Sequence, residues 1–313
     1  MTLTYLGWKL LRAVVTMWLV VTFVFFILRL TGDPVAQLLP DDVDQVTIDY
    51  YRKLWGLDQT IFVQYWNYFL ALFQGDFGVS FRDNQDALQL VLARLPKTAL
   101  LGLTALGFAL LFGIPFGVLA ALKKNTAFDR FVMGLAVFGF SMPNFFLGIL
   151  LILGFSLQLR MLPSSGSETW LHMIMPVFTL GTSFGAQVAR YTRSSMIDVL
   201  NRPYMRTADA KGAETNRRLY LHALPNAAIP VVTIVGLKVG ELIGSAVITE
   251  NVFAWPGIGR LLTSAVAMRD LAVVQCILMM IALTMVLSNL AVDLLYGWMD
   301  PRVRVGNREG ANR

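Results

Sequence analysis

Six runs of mostly apolar residues divide this chain, at Leu10 to Leu30, Thr98 to Leu122, Phe131 to Leu157, Met173 to Ala189, Ile229 to Thr249 and Leu271 to Tyr296. Each is near the twenty residues that a helix needs to cross roughly 30 Å of hydrocarbon. The expectation is an all-α membrane protein with six transmembrane helices. Composition agrees, with 56% hydrophobic residues, 15% charged residues and a mean hydropathy of +0.60, against about 25% charged in soluble domains. The first run is longer than the roughly 7 to 15 apolar residues of a signal peptide, and no small-x-small cleavage site follows it, so it reads as an anchor. The single cysteine, Cys276, lies in an apolar run and has no internal disulfide partner.

A formal charge of +6 would suggest nucleic acid in a soluble protein, but in a membrane chain the placement of Lys and Arg matters more than their sum. No nucleic-acid partner is expected. With the N-terminus in the cytoplasm, sixteen basic residues fall on the inner side, among them Lys123, Lys124, Arg190, Arg206, Lys211 and Arg217, and eight on the outer side. Both termini are therefore expected inside. The chain divides into residues 1–30 with the first span, an outer segment 31–97, a five-helix core 98–296 with an inner loop 190–228, and a tail 297–313.

The outer segment holds nine acids against five bases. Asp41, Asp42 and Asp44 ahead of Val46, Ile48, Tyr51 and Leu54 suggest a capped amphipathic helix. Phe62 to Phe73, with Tyr65, Trp66, Tyr68 and Phe69, suits a helix lying in the membrane interface. The segment is either a docking surface for an external partner or a solvated cap.

In the inner loop, Asn201 and Pro203 have the chemistry of a helix start, and Gly212 that of a left-handed helix end. Ala208 and Gly212 share a face with Tyr204, leaving Arg206 and Lys211 for polar contacts. A second helix, about Ala213 to Ala223, is expected to be interrupted by Pro225. Such a loop either receives a partner or is an ordinary basic inner loop.

Within the spans, Lys238 and Glu241 are charges three residues apart in a costly environment, either lining a translocation route or forming a structural pair to a partner. Asn251 to Arg260, with Trp255, Pro256 and Gly257, is expected to fold back at the outer interface as an external gate or a plain turn. Ser141-Met-Pro143-Asn144 suggests a kink in the third span, facing the interior. His172 and His222 are too isolated for a metal site. No G-x-x-x-x-G-K-[ST] phosphate loop occurs in the chain. A secondary transporter or channel with six spans and an intramembrane enzyme are the other classes, and neither internal repeats nor a nucleophile with its base is visible.

The spacing Gly212, nine residues, His222, Ala223, Leu224, Pro225 resembles the EAA loop of ABC importer permeases, with Arg206 and His222 standing where the general pattern has Glu and Ile. Gly75-Asp-Phe-Gly-Val-Ser80, Tyr204-Met-Arg-Thr-Ala208, Asn251-Val-Phe-Ala-Trp-Pro-Gly-Ile-Gly-Arg260, Asp293-Leu-Leu-Tyr296 and Asp300-Pro-Arg302 resemble one subfamily. It is the first permease subunit of dipeptide, oligopeptide, glutathione and nickel importers, in which Arg-Thr-Ala is usual in the loop. The resemblance covers nearly the whole chain and implies a type I ABC importer permease fold in the bacterial inner membrane.

It further implies a second homologous permease subunit, two ATP-binding subunits that hold ATP and Mg, and a periplasmic or lipid-anchored solute-binding protein. No cofactor is implied on this chain, which would not itself be an enzyme. Tyr204, Arg206, Thr207, Ala208, Asp209, Lys211, Gly212, Leu224 and Pro225 would form the ATPase-coupling element. Lys238, Glu241 and Asn144 would belong to the translocation path, and Trp255, Pro256 and Gly257 to an external gate. The cargo would be a peptide or related small solute, its identity set largely by the binding protein.

Overall fold

The computed structural model describes residues 3–30, 35, 43–54 and 56–299. Asp41, Asp42 and the tail from Asp300 onward, with its Asp-Pro-Arg motif, lie outside the described residues, as do the side chains of Asp293 and Tyr296. The helices are α1 Leu3–Leu30, α2 Gln45–Leu54, α3 Ile61–Phe73, α4 Ala87–Leu122, α5 Ala127–Ser141 and α6 Asn144–Leu151, which runs on as a π-helix Ile152–Gln158. After them come α7 Leu171–Leu200, α8 Pro203–Ala210, α9 Leu224–Val252, α10 Ile258–Ala267 and α11 Leu271–Met299. A short turn Thr215–Arg217 and a π-helix Arg218–Ala223 lead into α9. Among the described residues the extended backbone amounts to one bridge, Val79 to Asp86.

Among the described residues four helices are long and apolar enough to cross a membrane, and five when α5 and α6 count as one bent span. The remaining expected run, Met173 to Ala189, the fourth in chain order, lies within the 30-residue α7, whose sequence is more polar. Its polar groups are satisfied locally, since Thr179 donates to the Met175 carbonyl (2.8 Å) and Thr182 to the Phe178 carbonyl (2.5 Å). With α4, α5 and α9 packed against it, α7 has less surface to present to lipid than a peripheral span. The expected kink is a corner of 100° between α5 and α6. Pro143 drives its neighbour Met142 out of the helical region, to ψ 123°, so α5 stops at Ser141 and α6 starts afresh.

Helix directions follow from where backbones touch. A Cβ added to Gly113 would lie 2.8 Å from the Gly185 carbonyl oxygen, and one on Gly117 2.6 Å from that of Ala189, so α4 and α7 run parallel at backbone contact. These are the small-residue seams that let transmembrane helices approach closely. Gly139 faces Thr182 and Ala186 while Asp129 pairs with Arg193, which makes α5 antiparallel to α7. Gly102 against Leu242 with Thr98 against Glu250 sets α9 antiparallel to α4, and Gly236 against Val292 with Gly240 against Ser288 sets α11 antiparallel to α9.

The described residues between α1 and α4 are anchored at two places. On α3, Tyr65 shares a hydrogen bond with Thr22 of α1 (2.8 Å), and Gln64 accepts from Arg29 Nε (2.7 Å). One face of α3 thus packs on α1, while Phe62, Trp66 and Phe73 remain exposed. Asp44 accepts from the Thr47 amide at 3.3 Å, as its capping position requires. After α3, Gly75 and Gly78 adopt φ +80° and +84°, a reversal open to glycine, and deliver Ser80 to the buried Asp270 at the start of α11. The helix α4 begins at Ala87, where Asp86 accepts from the Gln89 amide (2.9 Å), well before the apolar run at Thr98.

Candidate functional site

The inner loop folds as a short helix seated on the ends of three longer ones. Pro203 supplies a preset φ at the start of α8. The end is a Schellman turn, in which the Ala213 amide donates to the Ala208 carbonyl (3.1 Å) and the Gly212 amide to that of Asp209 (2.9 Å), with Gly212 at φ +75°. Met205 is buried, in one cluster with Ala121 of α4, Met196 and Val199 of α7, and Ala223 and Ala227. Tyr204, Arg206, Thr207, Asp209, Lys211 and Gly212 are exposed, and Ala208 is half-buried. Asp209 also pairs with Arg218, which ties α8 to the π-helix behind it.

Pro225 does not break the following helix. It sits in the first turn of α9, directly after the π-helix Arg218–Ala223, and Thr215 to Val252 runs as one helix. Proline lacks an N–H to give the i−4 carbonyl, and a π turn, whose bonds span five residues, changes the register where that donor is missing. Leu224 packs on the cluster around Met205, and Pro225 is exposed.

Beside this loop stands a pair that the sequence reading missed. Arg193 donates to Asp129 through Nε (2.5 Å) and Nη2 (2.7 Å), and Asp129, itself buried, also accepts from the Asn125 amide (2.9 Å). The planar guanidinium matches the two carboxylate oxygens, which fixes the inner end of α5 to α7.

At the opposite end of the bundle, Glu250 organises the turn after α9. It is fully buried, accepting from Thr98 Oγ1 (2.6 Å) on one oxygen and from the Gly259 and Arg260 amides (2.7 and 3.1 Å) on the other. Those two amides are free donors of the first turn of α10, so the carboxylate caps that helix. Thr98 Oγ1 in turn accepts from the Ile258 amide (2.7 Å). The glycines follow from this: a Cβ on Gly257 would fall 2.1 Å from a Glu250 oxygen, and one on Gly259 2.4 Å from Val247 Cα. Trp255 is buried and donates its indole N–H to the Lys97 carbonyl (3.0 Å), so with Pro256 it forms a fixed turn packed on the start of the second span. An acid at the end of an apolar run, seven residues ahead of the first glycine of Gly257-Ile-Gly259, was the available signal.

Lys238 and Glu241 pair with each other at 2.6 Å, the lysine mostly buried with its ammonium 5.7 Å from the Phe184 ring centroid and the glutamate exposed. Asn144 lies in the first turn of α6 beyond the corner, and among the described residues no hydrogen bond joins it to that pair. Among the described residues no cluster of His, Cys, Asp and Glu is arranged to hold a metal.

Two family profiles match the chain. One, described as binding-protein-dependent transport system inner membrane component, matches residues 113–305, and its N-terminal counterpart matches residues 2–104. The glutathione transport system permease protein GsiC of Escherichia coli (strain K12) is 41% identical over 303 residues, covering 96% of this chain and 99% of that protein. The protein of the same name from Salmonella typhimurium (strain LT2) is 42% identical over 303 residues. Among solved structures, the MetNI methionine ABC transporter in inward-facing conformations aligns with a TM-score of 0.55 and 16% identity, over 68% of this chain and 97% of that one.

Proposed function

The chain belongs to the family of binding-protein-dependent transport system inner membrane components, and from that premise we propose that it carries glutathione or short peptides inward when a separate ATPase acts on α8. As a member of that family it is a multi-pass permease of the inner membrane, in an ABC importer of the peptide and glutathione class. The cargo reading rests on the two relatives, each of which is named as a glutathione permease.

The observation that carries the coupling reading is the seating of α8. Met205 is buried among the ends of α4, α7 and α9 while the polar face of the same helix is exposed. A helix held from behind and bare in front can be pushed as a body. In the proposed assembly Tyr204, Arg206, Thr207, Ala208, Asp209, Lys211 and Gly212 meet a groove on one of two ATP-binding subunits, which bind ATP and Mg. Leu224 and Pro225 carry the movement into α9. A second, homologous permease completes the pathway, and a solute-binding protein delivers cargo to the outer face. In this reading α7 also crosses, as the fourth of six spans, and both termini are cytoplasmic. Residues 31–97 form the outer segment, residues 98–296 the core with its 190–228 loop, and residues 297–313 a tail. Lys238, Glu241 and Asn144 border the route, and Trp255, Pro256 and Gly257 its outer closure.

The test is ATP-driven uptake of labelled glutathione and of a dipeptide by the reconstituted importer, with residues 204–212 native or replaced by a Gly/Ser spacer. The expected result is uptake that the spacer abolishes while the subunits still co-purify. Undiminished uptake with the spacer refutes coupling through α8, and absence of both cargoes from the native importer refutes the substrate class.

A further inference from the structure

A cleft of about 570 Å3 opens between α4, α5 and α7, away from the inner loop and the Glu250 turn. Its walls are aromatic, with Phe108, Phe112 and Phe116 on α4, Phe128 and Phe131 on α5, and Phe178 on α7. The polar side chain in the lining is Thr182, whose hydroxyl already donates to the Phe178 carbonyl at 2.5 Å. Nothing in the cleft asks for a polar ligand.

Its shape is that of a chain rather than a helix. On α5 the lining runs from Phe128 to Met142, fourteen residues or about 21 Å at the helical rise. One leaflet of a bilayer is about 15 Å of hydrocarbon, so the cleft is long enough to take an acyl chain over the full depth of one leaflet. The 100° corner after Ser141 closes the end away from Lys123, where Leu147 of α6 joins the wall. A helix with its side chains is about 10–12 Å across, and a volume of about 570 Å3 would hold roughly three to five of its residues. That is less than two turns, too little to seat a crossing helix of another subunit.

The mouth is cationic. Lys123, the residue that ends α4, is exposed, holds its ammonium 5.3 Å from the centroid of the Phe128 ring, and has no carboxylate partner among the described residues. We propose that this cleft seats one phospholipid of the leaflet on the Lys123 side, with an acyl chain against the phenylalanines and its phosphate at the Lys123 ammonium. A chain gripped on three sides loses more contact on leaving than one lying on a convex helix face, so this lipid stays when annular lipid exchanges.

The test uses the assembled importer in proteoliposomes containing phosphatidylglycerol with a diazirine in its acyl chain, followed by peptide mapping of the adducts. Adducts are expected to concentrate on the cleft at Phe112 and Phe131, several-fold above the exposed face of α1 at Trp18 and Phe23. Lys123→Glu should lower cleft labelling about fivefold, the step that one juxtamembrane lysine supplies. Leu135→Trp, which fills the opening, should remove it. Labelling no higher in the cleft than on α1, or unchanged in both variants, overturns the proposal. So does a photoreactive residue placed at Phe131 that captures the second permease polypeptide instead of lipid.

Discussion

Replacing Glu250 by alanine removes one acceptor from two buried donors, the Thr98 hydroxyl and the Gly259 amide, and from the part-buried Arg260 amide, now held at 2.6, 2.7 and 3.1 Å. A buried donor left without a partner costs about 1–3 kcal/mol. Three donors at that cost would total about 3–9 kcal/mol, with the low end the better expectation because the part-buried Arg260 amide can reach water and a threonine hydroxyl can turn to a carbonyl of its own helix. Glu250→Gln keeps a carbonyl oxygen for the two amides and disturbs only the Thr98 bond, at about 1 kcal/mol. The chain supplies its own reporter, since its single cysteine, Cys276, is 1% exposed and becomes reactive to a thiol dye only on unfolding. With cysteine-free partner subunits, Glu250→Ala should melt about 6 °C or more below wild type and Glu250→Gln about 2 °C below. A second substitution fixes the sign. Gly257→Ala places its Cβ within 2.4 Å of three Glu250 atoms, so it should destabilise the wild type and cost far less in Glu250→Ala. If Gln and Ala melt together, or if Gly257→Ala costs the same in both backgrounds, the capping argument fails.

Two further outcomes follow from the inner end. Gly212→Val puts a β-branched residue at φ +75°, at a cost of about 1–2 kcal/mol or more, so hydrogen exchange at the Gly212 and Ala213 amides should accelerate while the melting of Cys276 stays near wild type. Asp129→Asn breaks the two-point contact with Arg193, whose side chain is 25% exposed, and the cost is set below the roughly 3–5 kcal/mol of a wholly buried pair at about 1–3 kcal/mol; Arg193→Lys, which loses the fork but keeps the charge, should fall between it and wild type in the same melting assay.

What the sequence disclosed is what depends on neighbours in the chain. The apolar runs, the left-handed end at Gly212, the break at Pro143 and the Lys238–Glu241 pair each rest on residues within a few positions of one another. What it withheld depends on partners far away. Glu250 meets Thr98 across 152 residues and Asp129 meets Arg193 across 64, and in isolation each is an acid near a helix end. The reading of Pro225 failed for a different reason: a missing N–H usually ends a helix, and the π turn that absorbs it is invisible in residue types. On α7 apolarity was a weak guide, because its hydroxyls bond to its own backbone and its faces meet protein on several sides.

The parallel seam of α4 and α7 joins these observations. At the Gly117 end of the seam Ala121, Met196 and Val199 close over Met205, and at the opposite end of α4 Thr98 meets Glu250 of α9. Between them, Cβ atoms at Gly113 and Gly117 would sit 2.8 and 2.6 Å from carbonyl oxygens of α7, so backbone rests on backbone with no side-chain layer to shear. Packed interfaces of this kind shift as bodies or in discrete steps rather than by continuous deformation. Under the proposed coupling, a push on α8 therefore arrives at the far side as a displacement of α4 against α9, where the contact is a set of directional hydrogen bonds on Glu250. Such bonds weaken steeply with angle, whereas apolar packing tolerates a slide. Under the same proposal a latch made of them would have two states, engaged or broken, as a joint between driven helices and the Trp255–Gly257 turn requires.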